Sequence, residues 1–282
     1  MKKEEIDGFI EDRFKQIAGH FRKAIDNFEP EDIREFRAEI KKLKVFLHLL
    51  SMGSDNGSSC RITKRIKTIY GYLGIVQNFQ LQLKKTKEYV KESVIPLPVC
   101  YENLLKKELN YWKQLSKDYI DTDYSFLNDK KEMISTLPDK LTQTSIKKFI
   151  HYTLYELNTI SGRLDDVALD NARKFMEDIY YNYTFIKPYI TQQQSDLFNE
   201  KQIDVCLELF NNYRNNCIAL SLLQTFGTEA LDDREKQILK KMENDWLSKK
   251  KELRDRLSAT LDSIHIKFTN LSEFTFSDSS NE

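Results

Sequence analysis

The sequence predicts an all-α protein in which long helices form two related, pseudo-repeated helical bundles. First, its 282 residues include only 8 glycines and 5 prolines, well below the roughly 12% combined share of average proteins, so few residues can punctuate short strands and tight turns. Second, apolar residues recur every three or four positions along almost the whole chain, which is the period of an amphipathic helix. Third, one pattern of two consecutive helices occurs twice.

Clear breaks separate the predicted helices. The segment "NFEPED" (27–32) ends the first helix and offers Pro30 as a first-turn residue of the second. The segments "MGSDNGSSC" (52–60) and "VIPLPV" (94–99) are predicted loops, and a polar loop is expected at 118–132. In order, we expect helices at 4–27, 31–51, 61–93, 100–118, 138–161, 164–187, 196–226 and 229–266. We divide the chain into a first helical half, 1–120, a second, 121–270, and a polar, disordered tail, 271–282.

Charge is balanced overall but unevenly distributed. The chain has 44 basic and 44 acidic residues, which gives no general attraction to nucleic acids or membranes. Between Ile33 and Lys91, however, there are 13 Lys and Arg against 4 Asp and Glu, an excess of 13 − 4 = +9. The first half therefore carries a local positive field.

Metal, disulfide and catalytic patterns are missing from the sequence. The four cysteines lie far apart, and the four histidines have no carboxylate or cysteine partner at ligand or triad spacing along the chain. We therefore expect no metal, no cofactor, reduced thiols and no enzymatic activity. The acidic start "MKKEEIDGF" and the lack of a long apolar stretch favour the cytosol.

A stripe of four cations runs along the second predicted helix. Arg34, Arg37, Lys41 and Lys44 are three, four and three residues apart, so they share one face and rise about 15 Å along it. Such residues often cover the edge of an apolar stripe while their charged groups stay in water. Alternatively, they line a groove that binds successive phosphates, with Lys64, Arg65 and Lys67 of the third helix as an opposing wall. The spacing alone leaves both interpretations open.

The repeat emerges when two pairs of segments are compared. "IREFRAEIKKLKVFLHLL" is followed after a loop by "IKTIYGYLGIVQNFQLQL", and "LDNARKFMEDIYYNYTFI" is followed by "CLELFNNYRNNCIALSLL". In each pair, a helix with a basic position near its start precedes a helix with a small or polar residue in its apolar face. This self-similarity indicates duplicated helical units that share one continuous core.

These segments resemble the CHAD domains, all-helical modules named for their histidines and built from two four-helix halves. The family's V-H-x-L-R-V-x-x-R-R-L-R motif is similar to 33–44, with Arg34 in place of histidine, and its L-K-x-L-x-x-x-L-G motif is similar to 66–74. In the second half, L-H-x-L-R-K is matched by Leu169, Arg173 and Lys174, with Asp170 in place of histidine. The next motif, L-G-x-L-N-D, is matched within 210–215, which includes Arg214.

The resemblance implies a binding module for inorganic polyphosphate or a similar linear polyanion, located in the cytoplasm and at polyphosphate granules. Its basic groove would lie on the first half, with no membrane contact and no sequence-specific nucleic acid. A protein partner is a further expectation, and the alternative is a helical scaffold or protein-interaction domain that has lost ligand binding. The candidate polyanion-binding residues are Arg34, Arg37, Lys41, Lys44, Lys64, Arg65, Lys67, Arg173 and Lys174.

Overall fold

The computed structural model describes residues 1–53, 60–120, 124–160, 165–190, 200–226 and 232–269, with backbone alone for 264–269. Within these residues the chain forms ten α-helices and one short 3-10 helix, and no strand. The predicted tail, 271–282, and most of the predicted loop at 52–60 lie outside the described residues. The helices are α1 Lys3–Asn27, α2 Pro30–Ser51, α3 Lys64–Ser93, α4 Val99–Tyr119, α5 Leu127–Ile134, α6 Gln143–Ile160, α7 Asp166–Tyr181, α8 Tyr183–Ile186, α9 Glu200–Phe226 and α10 Asp233–Thr269, with the 3-10 helix Lys187–Tyr189 after α8. The predicted all-α class is confirmed.

Specific side chains set the starts of several helices. Thr63 precedes α3, and its hydroxyl accepts a hydrogen bond from the backbone N–H of Ile66. Asp165 precedes α7 and accepts from the N–H groups of Val167 and Ala168. These caps satisfy backbone donors that the first turn leaves without partners. The helix boundaries next to the candidate site are thus fixed by local chemistry.

Four predicted boundaries were wrong. The third helix, predicted from 61, begins at Lys64, after its cap Thr63. The predicted polar loop at 118–132 contains the start of α5, because Phe126 and Met133 bury their side chains there. The helix predicted from 138 begins at Gln143, since Lys140 forms an isolated bridge with Lys2 and the backbone before α6 is therefore extended. The helix predicted at 164–187 stops at Tyr181.

Asn182 explains where α7 ends. Its side chain is fully buried and donates from Nδ2 to the backbone oxygen of Val45 in α2, at 3.1 Å. This bond ties the end of α7 to the middle of α2. The short α8 and the 3-10 helix then continue the chain up to Tyr189.

Four inner helices form the centre of the fold. Helix α2 packs against α3 and α7, and α9 packs against the same two helices. Each inner helix also has an outer neighbour: α1 on α2, α4 on α3, α6 on α7 and α10 on α9. The sets α1–α4 and α6, α7, α9, α10 therefore have the same order of contacts. That order is what a duplication predicts, while the repeat itself and its boundary at 120/121 stay predictions.

One hydrophobic core joins the two halves. It extends from Ile6 in α1 to Leu257 in α10 and includes the fully buried side chains of Phe36, Phe149 and Phe210. Each such side chain stabilises the fold by about 1.5–3 kcal/mol relative to exposure. A second cluster around Tyr101 and Trp246 packs α4 and α10 onto α3 and α9. The inner helices are thus held from both sides, so the side chains between them have fixed positions.

None of the helices in the described part of the chain combines the length and the apolar character that crossing a bilayer requires.

Candidate anion-binding groove

The four inner helices bring basic side chains from three different segments together. We call Arg37 and Lys41 of α2, Arg173 of α7 and Arg214 of α9 the central cationic cluster. Tyr70 of α3 lies beside it. The cluster borders a cavity of about 140 Å³ between α7 and α9. Residues from both predicted halves of the chain contribute to it.

Arg37 is a buried guanidinium without a carboxylate partner among the described residues. Its Nη1 donates to the backbone oxygen of Tyr70 at 2.6 Å, and its guanidinium carbon lies 4.0 Å from the centre of the Tyr70 ring. Gly74 makes this approach possible, because a Cβ there would collide with Nη1 and would lie 2.9 Å from the guanidinium carbon. Only 9% of Arg37 is exposed. Its charge is therefore stabilised by one carbonyl and one aromatic face instead of by an acid.

A second arginine, Arg214 of α9, lies close enough to Arg37 for their charges to interact. Burial lowers the pKa of Arg37 below its usual range, and the charge of Arg214 lowers it further against an opposing effect of Tyr70. Arg214 makes no ion pair within the part of the chain that the structure describes, and it lines the cavity. Two like charges without an acid between them repel each other, so this position favours an anion.

The cavity beside Arg214 has mixed walls. Carboxylates stand on its α7 wall, and Tyr213 and Cys217 stand on its α9 wall. Its lining consists of Asp166, Leu169, Asp170, Arg173, Phe210, Tyr213, Arg214, Cys217 and Ile218. Burial raises the pKa of Cys217, which keeps the thiol protonated.

The other two cations of the cluster are neutralised within the protein. The Oε1 atom of Glu177 accepts from Lys41 Nζ at 2.8 Å and from Arg173 Nη1 at 2.7 Å. Arg173 also donates to Asp170 at 2.7 Å, and Asp170 pairs with Lys174 at 2.8 Å. Burial alone would lower the pKa of Arg173, but Glu177 and Asp170 raise it above its usual range. Burial would likewise raise the pKa of Asp170, and the hydrogen bonds from Lys174 and Arg173 lower it instead.

The remaining predicted residues lie around the cluster or away from it. Arg34 is exposed and forms ion pairs with Glu31 and with Glu35. Arg65 also points elsewhere, since its guanidinium carbon lies 4.0 Å from the ring centre of Tyr124. The exposed cations Lys44, Lys64 and Lys67 make no ion pair within the described residues. Lys67, Tyr70 and Gly74 follow one another at intervals of three and four residues. Lys67 therefore lies on the same face of α3 as Tyr70 and Gly74.

Sequence reasoning missed three contributors to the site. Arg214 belongs to a motif matched in the second half, but the motif does not show that its charge acts on Arg37. Glu177 was evident as an acid where a cation was expected, but its contact with Lys41 spans 136 residues of sequence. The role of Gly74 depends on the distance between two helices. A contact between distant segments was needed to identify each of them.

No described His, Cys, Asp and Glu side chains cluster in a way that could hold a metal ion. One histidine does meet a carboxylate: His48 Nδ1 lies 2.9 Å from Asp178 Oδ2, between the rings of Phe149 and Tyr152. The pair cannot be recognised in the local sequence, because Asp178 comes from α7 and is 130 residues away. Within the described residues no serine or cysteine side chain is hydrogen-bonded to the imidazole, since Ser51 Oγ donates to the backbone oxygen of His48, and the pair forms a polar contact between helices α2 and α7.

Two solved structures have a similar fold. The CHAD domain from the plant Ricinus communis aligns with a TM-score of 0.70 and 14% identity, over 95% of this chain and 92% of that chain. PptA from Streptomyces chartreusis aligns with a TM-score of 0.60 and 10% identity, over 97% of this chain and 99% of that chain. No family model matches the sequence, and neither does any curated protein. The chain therefore has a divergent CHAD-like fold, which confirms the fold that the sequence resemblance implied.

Proposed function

We propose that this protein is a non-enzymatic module that binds inorganic polyphosphate, or a similar linear polyanion, through Arg37 and Arg214 of the central cationic cluster. The observation that carries the proposal is Arg37, a buried guanidinium that has no acidic partner among the described residues. A second arginine without an ion pair in the described chain, Arg214, lies close enough for the two charges to repel each other. The CHAD-like fold supports the same conclusion by resemblance. Association with polyphosphate granules in the cytoplasm belongs to this proposal.

The physical argument rests on the cost of a buried charge. A charged group removed from water is expensive unless hydrogen bonds or an opposite charge compensate it. Arg37 has five N–H donors, and the structure gives one of them a protein acceptor. A phosphate oxygen that accepts from the others would form charge-assisted bonds and would relieve the repulsion from Arg214. Arginine suits phosphate because its planar fork can donate two parallel bonds.

Binding, and not catalysis, fits the chemistry of the groove. The cluster itself consists of three arginines and a lysine. Beside it lie a tyrosine and carboxylates that are already bound to cations. Cations hold and position a phosphate chain, but hydrolysis of its bonds requires an activated nucleophile or a metal. None of the described side chains of the cluster is placed to serve as either. A helical scaffold without ligand remains the alternative, and the experiment below distinguishes the two.

The test is calorimetric titration with long-chain polyphosphate at about 50 and about 200 mM NaCl. We expect binding at low salt that weakens steeply as salt increases. The double variant Arg37→Gln, Arg214→Gln should bind at least about tenfold more weakly, since a charge-assisted hydrogen bond contributes roughly 1.5–3 kcal/mol.

The matched control is Lys147→Ala, Lys148→Ala, which also removes two positive charges. Both lysines are exposed on α6, a helix that does not pack against α3 or α9. This control should bind like the unaltered protein. If the unaltered protein does not bind polyphosphate at low salt, or if both double variants bind alike, the proposal is wrong and the scaffold alternative is favoured.

A further inference from the structure

The groove is lined by the central cationic cluster, and Glu177 places a carboxylate in it between helices α2 and α7. Its Oε1 atom accepts from Lys41 of α2 and from Arg173 of α7, at 2.8 and 2.7 Å. The Glu177 side chain is only 11% exposed. One oxygen atom thus bridges two cations from different helices, which is the contact that a phosphate oxygen would make between them.

The result is a groove with two unequal sides. On the α7 side, Glu177 and Asp170 already neutralise Lys41, Arg173 and Lys174. Towards α3 and α9, Arg37 and Arg214 have no such acids in the described chain. A ligand that occupied the whole groove would have to displace a buried carboxylate from both of its cations. Since a buried charge that loses its partners is strongly disfavoured, this displacement opposes binding.

We propose that Glu177 acts as a built-in competitor that limits the bound segment of a polyanion to a few phosphates. The inference rests on the proposed function, because it concerns the same groove. Arg37 and Arg214 hold this segment, so a long chain gains no contacts at Lys41 and Arg173 and binds no more tightly per site than an oligophosphate. Glu177 is then the residue that determines how many phosphates the site binds.

A purely structural ion pair makes a different prediction. If Glu177 only joins α2 to α7, its neutralisation lowers the free energy of unfolding and leaves ligand affinity unchanged. If it competes with the ligand, its neutralisation raises affinity for long chains and increases the number of phosphates that the protein neutralises. Affinity and its salt dependence, measured beside thermal stability, therefore distinguish the two roles.

Glu177→Gln is the informative variant, because glutamine keeps the size of the side chain and removes its charge. Its control is Glu39→Gln. Glu39 is also buried and also bridges an arginine and a lysine, Arg13 and Lys42, at 2.7 and 2.6 Å. Because Arg13 lies on α1, this second bridge joins α2 to an outer helix and lies outside the cluster. The variants Glu177→Gln and Glu39→Gln thus match in the burial of the side chain, in its chemistry and in the change of charge.

The probes are tripolyphosphate and long-chain polyphosphate, titrated calorimetrically at several salt concentrations. We expect Glu177→Gln to bind the long chain about tenfold more tightly or better, with the log–log salt slope steeper by about 0.7 for each phosphate newly neutralised, as for single-stranded nucleic acids. Glu39→Gln should change neither quantity. In the unaltered protein the two probes should have similar affinity per binding site, and Lys41→Gln should cost less than about threefold because Lys41 is already neutralised.

Other results would overturn the inference. These are an unchanged affinity in Glu177→Gln, equal changes in Glu177→Gln and Glu39→Gln, or a strong preference of the unaltered protein for the long chain. The last result, and a large loss in Lys41→Gln, can be measured even if Glu177→Gln does not fold. The inference and the proposed function fail on different results. The inference about Glu177 fails if the unaltered protein binds polyphosphate and Glu177→Gln binds it no differently. The proposed function fails if the unaltered protein does not bind polyphosphate.

Discussion

Replacement of Gly74 by alanine should displace Arg37 without a change in charge. Gly74 lies in the middle of α3, where alanine is the better helix former by about 0.5–1 kcal/mol. Its added Cβ would meet the Arg37 guanidinium, with the guanidinium carbon at 2.9 Å. The far end of a flexible side chain can move, so we expect the guanidinium to leave its place and the helix to persist.

The magnitude follows from the contacts that Arg37 loses. These are a charge-assisted hydrogen bond to the Tyr70 carbonyl, worth about 1.5–3 kcal/mol, and stacking on the Tyr70 ring, worth about 0.5–1 kcal/mol or more. Their sum is about 2–4 kcal/mol. After subtraction of the gain in helix propensity, Gly74→Ala should destabilise the protein by about 1–3 kcal/mol and should weaken polyphosphate binding at least about tenfold.

Gly71→Ala is the matched control on the same helix. A Cβ at Gly71 would have no atom within 4 Å, so this variant gains helix propensity and loses no contact. The two variants, compared by urea denaturation and by calorimetric titration, should differ by about 2–4 kcal/mol in the free energy of unfolding. The reasoning is refuted if Gly74→Ala stabilises the protein as much as Gly71→Ala does and binds polyphosphate normally.

Two further predictions concern stability. Burial raises the pKa of Tyr181 to about 12, with smaller effects of Glu177, Tyr180, Tyr70 and Glu39. Because the folded state holds this proton more tightly than the unfolded state, the contribution of Tyr181 is complete below pH 10, its usual pKa, and is lost as pH rises through about 12. Between these values Tyr181→Phe should reduce the fall in the free energy of unfolding by up to about 2.7 kcal/mol, and identical urea-denaturation curves across this pH range would contradict it. Asp165→Ala should destabilise the protein by about 1 kcal/mol because it removes the N-cap of α7, whereas Asp165→Ser should retain most of that stability. Equal thermal midpoints for the two Asp165 variants would show that the cap has no effect.

The fold was predictable because its signals are local. A three- and four-residue apolar period specifies each long helix, and a break such as Pro30 or the segment before Val99 needs only its own neighbours to be recognised. The errors arose where distant segments decide. Asn182 ends α7 because it donates to Val45, and the extended backbone before α6 depends on the bridge between Lys140 and Lys2. Neither contact leaves a pattern in the local sequence.

The candidate site was predictable only in part. The sequence indicates that α2 carries a row of cations, and one of them, Lys41, lies beside Arg173, since both donate to Glu177. The sequence could not show that these cations differ in their surroundings. Arg34 is exposed and paired with two glutamates, whereas Arg37 is buried against Tyr70. Exposure and partners change from one turn to the next because the neighbouring helices cover only the middle of the stripe.

Whether a cation is available to a ligand depends on where its nearest acid lies. The spacing along a helix reveals the acids on the same helix, but not those on neighbouring helices. Residues three or four apart on a helix are neighbours, and on α7 this rule places Asp170 and Glu177 beside Arg173. On α2 it gives Arg34 a glutamate, Glu31, and it gives Arg37 no acid at all.

Acids on a neighbouring helix can also neutralise a cation. Lys41 also has no acid three or four residues away on its own helix, yet Glu177 of α7 neutralises it. The same-helix rule therefore identifies Arg37 correctly as an available cation and misidentifies Lys41, because only the packing of α2 on α7 supplies the acid. A wall that resembles a uniform basic surface in the sequence thus leaves Arg37 and Arg214 as the cations without an ion pair in the described part of the cluster, and we propose that the charge of Glu177 limits how far a polyanion bound there extends beyond them.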